Sequence, residues 1–162
     1  VNGGLARHFF WGEMHLSTGT STALTVLFVL IVFPIFFTAL WVSITFAMSY
    51  IGGWGRVGKH YAATGTPPAG RVLKNVTGMF GIARYKFVLT VITTDGGLYI
   101  ENRKVFRPGH PPLFIPFSAI FNARRQTLFF WEFIAFEIGN PPLAGVRLPS
   151  KVFEGTPVEI AP

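Results

Sequence analysis

Cysteine is missing altogether from this chain of 162 residues, which excludes disulfides, thiolate metal sites and cysteine nucleophiles. Charge is scarce as well. Asp, Glu, Lys and Arg make up 13% of the residues, against roughly 25% in a soluble globular domain. None of the four occurs from Met14 to Gly55. The histidines, His8, His15, His60 and His110, stand in separate contexts, without the i+3 or i+4 spacings that build a zinc site. The glycines around Trp54 form no GxxxxGK[ST] or GxGxxG phosphate cradle. Glu132 and Glu137 fall on opposite faces of an extended run, so they cannot act as a close carboxylate pair. The absences lead to the expectation of a protein that is not an enzyme, holds no metal or cofactor, and has no nucleic-acid partner.

Apolar side chains are abundant: half the residues are hydrophobic and 16% are aromatic. Ala23 to Met48 is almost continuously apolar. As a helix these residues would extend about 39 Å at ~1.5 Å per residue, enough to cross a hydrocarbon core of about 30 Å once. Pro34 leaves too few residues on either side for two spans and is expected to kink one. The run is longer than the apolar region of a signal peptide, which favours an uncleaved anchor. The expected organisation is an N-terminal interfacial segment over 1–19, a transmembrane helix over 20–51, a juxtamembrane connector over 52–70 and a β-domain over 71–162. In the first segment Leu5 to Leu16 reads as a short interfacial helix, with Phe9, Phe10 and Trp11 at the membrane interface and Trp54 marking the opposite one.

The chain carries 14 basic and 7 acidic residues, and all but Arg7 and Glu13 follow the span. Arg56 and Lys59 come just after it, so the positive-inside rule puts the C-terminal domain in the cytoplasm and the N-terminus outside. Arg103, Lys104 and Arg107, with Arg124 and Arg125, form further clusters at expected turns and strand ends. With Arg56 and Lys59 they are candidates for anionic lipid or an acidic partner.

Beyond Gly70 the pattern is that of strands. Val72–Phe80, Tyr85–Thr93 and Leu98–Glu101 are expected strands, the last two joined at Thr94-Asp95-Gly96-Gly97. A short strand at Lys104–Phe106, extended pieces at Leu113–Pro116 and Ala119–Asn122, and a final strand at Ala144–Leu148 complete the list. Thr127 to Ile138 reads as one long strand that is apolar on both faces. An antiparallel sheet needs only one apolar face, so Phe129, Trp131 and Phe133 are expected to form a partner-docking surface.

The stretch TVITTDGGLYIENRKVFRPGHPPLFIPFSAI, with Gly53, Trp54 and Tyr61 before it, resembles a pattern in uncharacterised bacterial proteins with one membrane helix. The resemblance implies a PH-like or GRAM-type antiparallel sheet in a bacterial inner membrane protein. The turn at Thr93, Thr94 and Asp95, taken as the first hairpin, lacks the basic cluster a phosphoinositide site would use. Together these readings lead to a membrane-anchored, mainly β protein that is an accessory subunit. It would dock on other integral-membrane subunits and stabilise a larger complex, photosynthetic or respiratory. The alternatives are a module binding anionic lipid or an acidic protein, and a membrane-bound hydrolase using His110 with Glu101.

Overall fold

A computed structural model describes the backbone of residues 5–128 and 130–162, and the side chains of 19–127 and 130–162. It falls into two units, 1–42 and 43–162. Helix α1 (Leu5–Gly52) runs through both, so the expected interfacial helix is the first part of one continuous helix. Nothing between Leu16 and Ala23 breaks it, and extending a helix costs less than nucleating a second. Thr25 spends its hydroxyl on the Ser21 carbonyl one turn back, at 2.8 Å. The helix continues through Pro34. Gly19–Gly52 is long and apolar enough to cross a membrane, and its most apolar stretch buries nothing inside the chain.

The second unit begins with the last ten residues of α1 and continues into helix α2 (Trp54–Tyr61). Gly53 makes the corner between the helices at φ +81°, a backbone region that only glycine enters without strain. Seven antiparallel strands follow: β1 (Arg71–Phe80), β2 (Ala83–Thr93), β3 (Gly97–Asn102), β4 (Leu113–Pro116), β5 (Ile120–Leu128), β6 (Trp131–Ile138) and β7 (Ala144–Pro149). They form one curled sheet, a half-barrel, in the order β4-β3-β2-β1-β7-β6-β5.

Alternation along the strands builds the core. Leu89 and Val91, Leu98 and Ile100, Leu113 and Ile115, Ile134, Phe136 and Ile138, and Val146 and Leu148 all turn to the inside. The expected Lys104–Phe106 strand is instead a 3-10 turn. The expected single strand Thr127–Ile138 is a hairpin, in which Leu128 pairs with Trp131. Between Leu128 and Trp131 the sequence has no Gly, Asn or Asp, the residues that normally mark such a turn, so an apolar run concealed the hairpin.

Trp54 also departs from expectation. Its side chain is fully buried in the chain's own core. Its ring lies 4.3 Å from Phe80 and 5.3 Å from both Tyr85 and His110, centroid to centroid. Its indole N–H donates to the Pro111 carbonyl at 2.9 Å. A tryptophan just after an apolar span suits a head-group belt or a core equally well by composition. Here the close approach of Gly52 to the β1–β2 turn decides for the core, since a Cβ at Gly52 would come within 2.7 Å of Ala83 Cβ and 2.9 Å of the Phe80 carbonyl. Replacing Trp54 by alanine is expected to lower the unfolding free energy by about 3–5 kcal/mol, measured by denaturant titration of the full chain in mild detergent. A loss under about 1 kcal/mol would show that Trp54 is not a core residue.

Candidate functional site

Two regions concentrate chemistry. The first surrounds Trp54. The loop 107–112 crosses the foot of α1, where the Ser49 hydroxyl donates to the Gly109 carbonyl and Ser49 is buried. His110, 2% exposed, stands between Tyr85 Oη at 2.7 Å from its Nε2 and the Pro108 carbonyl at 3.1 Å from its Nδ1. A carbonyl can only accept, so Nδ1 carries the proton, Nε2 is the acceptor and Tyr85 donates. Burial pushes His110 below the ordinary histidine value, against the backbone hydrogen bonds at Pro108 and Phe106. Burial also pushes the Tyr85 hydroxyl upward. Both groups are neutral near pH 7, and both nitrogens of His110 are engaged. Glu101 is bound elsewhere, accepting from Tyr99 Oη at 3.2 Å and lying 3.7 Å from Arg107, so the structure does not pair it with His110.

The second region is a groove of about 710 Å³ where the sheet splays. β1 keeps β2 beside it along Arg71–Phe80 but meets β7 only at Met79 and Phe80. The first half of β1 with β2 therefore forms one wall, and the β5–β6 tip with the 3-10 turn Ser150–Phe153 forms the other. Arg71 closes one end by donating to the Lys151, Val152 and Glu154 carbonyls, at 2.7, 3.2 and 3.0 Å. Two register shifts in β1–β2 shape the first wall, with Asn75 and Phe87 both at φ +56°. A bulky residue held there costs of order 1–3 kcal/mol. The backbone N–H of Phe87 is held by Thr77 Oγ1 at 3.2 Å, while its ring is 58% exposed.

The groove combines aromatic and cationic groups. Phe87, Phe130, Trp131 and Phe133 join Leu73 and Val76 in lining it. Phe130 is 96% exposed and Trp131 71%. Lys74, Arg84, Lys86 and Lys151 also line it, and none of them makes a salt bridge among the described residues. The acid in the lining, Glu132, is paired with Arg125 at 3.2 Å.

The expected site residues are distributed unevenly. Trp131 and Phe133 do come together in the groove, whereas Phe129 and the side chains of Phe9, Phe10 and Trp11 lie outside the described residues. Arg56 and Lys59 are exposed on α2, which packs on the loop at Pro111. Arg103 bonds Asn75 Oδ1 at 2.9 Å, and Lys104 lies on the 3-10 turn next to it. Arg124 and Arg125 belong to β5, and Arg125 is paired with Glu132 at 3.2 Å.

Lys74, Arg84, Lys86 and Lys151 escaped the sequence reading. A signal was present: Arg84 and Lys86 flank the inward Tyr85, so strand alternation turns both outward. The first hairpin is β1–β2, and it does carry basic residues. The turn at Thr94–Gly96 is the second. Among the described residues no group of three or more His, Asp or Glu is placed to hold a metal ion. No protein-family model matches the chain, and no curated protein is significantly similar to it.

The His110 tie has a pH consequence. The unfolded ring titrates near 6.5 and the folded ring lower, so the unfolded chain takes up a proton first as pH falls. Stability from neutral His110 is present above that value and is lost as pH drops toward the folded one. A His110→Gln variant is expected to lose most of the fall in urea midpoint seen between about pH 7.5 and about pH 5.5. Equal slopes in both proteins would contradict the neutral tie.

Proposed function

We propose that this chain is a non-enzymatic, single-pass accessory subunit that docks on other integral-membrane subunits and stabilises their assembly. The observation that carries the reading is α1, an apolar helix whose exposed length gives way, without a loop, to a foot packed in the β-domain. Residues 19–42 rise about 36 Å at ~1.5 Å each, which suits a hydrocarbon core of about 30 Å. Lipid or neighbouring helices would then cover side chains such as Leu30, Phe33 and Phe36, each at least 60% exposed in the chain alone. The basic excess after the span supports a cytoplasmic β-domain in a bacterial inner membrane. An energy-transducing complex, photosynthetic or respiratory, is the proposed host. We read the curled seven-stranded sheet as PH-like, in keeping with the resemblance carried by the stretch 90–120, which builds the end of β2, all of β3 and β4 and the His110 loop.

A second reading has its own support. Arg56 and Lys59 are exposed just beyond the end of α1, and the loop following Arg103, Lys104 and Arg107 packs against α2. Beside a bilayer each such cation adds about 1 kcal/mol of attraction to anionic lipid.

Purification of the native chain from its own membranes in a mild detergent tests the first reading. It is expected to migrate in an assembly larger than the chain with its micelle, together with integral-membrane subunits. Migration alone would contradict it. In flotation with anionic vesicles, salt-sensitive binding that disappears when Arg56, Lys59, Arg103, Lys104 and Arg107 are neutralised would favour the lipid module.

A further inference from the structure

We propose that the loop Lys104–Gly109 rests in the head-group layer of the bilayer that α1 crosses, and holds anionic lipid through Arg107 and Lys104 with Val105 between them. Such a site exists only if α1 spans the bilayer as proposed, and it narrows the lipid reading to one loop.

The loop touches the apolar run of α1 itself, not the chain beyond it. A Cβ at Gly109 would lie 2.9 Å from the Phe46 ring and 3.3 Å from Phe46 Cα, and the Ser49 hydroxyl donates to the Gly109 carbonyl. Phe46 belongs to the run Ala23–Met48. A hydrocarbon core of about 30 Å takes about 20 helical residues at ~1.5 Å each. The polar stretch Gly19-Thr20-Ser21-Thr22 precedes the run, so a core that begins at Ala23 or later ends at Val42 or later. The head-group layer adds about 5–7 Å, which is ~3–5 more residues of helix. Phe46 therefore stands at head-group depth at the shallowest, and Gly109 stands with it. A tilted helix places more residues in the core, which only deepens both.

Connectivity keeps the cations at this level. Arg107 is two residues from Gly109, a separation of about 7 Å at most. The Arg107 N–H donates to the Lys104 carbonyl at 3.2 Å and the His110 N–H to the Arg107 carbonyl at 2.9 Å, so two consecutive turns fold the loop up on itself. Arg107 is half exposed, with Glu101 3.7 Å away. Lys104 is exposed and makes no salt bridge among the described residues. Val105 is 65% exposed. Long cationic side chains on either side of an exposed aliphatic one suit anionic phosphates lying over hydrocarbon. An acidic protein segment would answer the charges alone. Phe46, 54% exposed beside the loop, is surface that the span gives to lipid, and this decides for the bilayer.

Because the chain has no cysteine, Val105→Cys and Leu30→Cys can each carry a bimane probe on the full chain in nanodiscs. The quencher is a doxyl label near the top of the acyl chain, carried by phosphatidylglycerol or by phosphatidylcholine at equal mole fraction. A label deeper in the chain serves for Leu30. Quenching is expected at Leu30, and at Val105 with phosphatidylglycerol the stronger quencher. Lys104→Gln beside Val105→Cys is expected to lower that preference about fivefold, the equivalent of one cation at an anionic surface. Leu30 quenched without Val105 would overturn the proposal and leave the span standing. Quenching at neither would remove the span and the proposal together. Equal quenching by the two lipids, or a preference that survives Lys104→Gln with Arg107→Gln, would also overturn it.

Discussion

An uncharged helix of 34 residues that buries its most apolar stretch in nothing of its own is the constraint on which the rest depends. Apolar surface gains roughly 25 cal/mol per Å² on leaving water, so leaving this much exposed in solution would be costly. The proposed solution is lipid along residues 19–42, and a folded foot from Ser43 onward. The foot shows how α1 is received by the sheet. Ser49 is tied to Gly109, Gly52 approaches the β1–β2 turn too closely for any side chain, and Trp54 enters the aromatic cluster two residues later. The His110 loop fastens the same place from the other side through Tyr85 and Pro111.

Elsewhere the sheet is left open. Because β1 follows β2 for its full length but touches β7 at only two positions, the sheet curls and parts. Phe87 and Phe130 are exposed beside this opening, with lysines around them. The foot is thus filled by the domain's own aromatic residues, while Phe87 and Phe130 at the groove stay exposed.

Much of this was legible in the residues. The charge-free interval from Met14 to Gly55 announced the helix, and Thr94-Asp95-Gly96-Gly97 announced the β2–β3 hairpin. Trp131 and Phe133 were recognised as unusual because both faces of their run were apolar. What stayed hidden had physical causes. No Gly, Asn or Asp separates Leu128 from Trp131, so two strands read as one. Trp54 carries no mark that separates a core residue from an interface residue, and only the approach of Gly52 to Ala83 settles it. The groove lysines depend on strand register, and two shifts within one strand pair are not written in any local pattern. Lys104–Phe106 has strand-like composition, but Arg107 and Phe106 close short-range hydrogen bonds there instead.

Because the chain lacks cysteine, single cysteines can report topology without background. The most direct measurement is labelling of Asn2→Cys and Ser118→Cys by a membrane-impermeant maleimide in right-side-out and inside-out vesicles. The account predicts reaction of Asn2→Cys only in the first and of the exposed Ser118→Cys only in the second. Reaction of both from the same side would mean that the apolar helix does not cross the bilayer, and the account would fail.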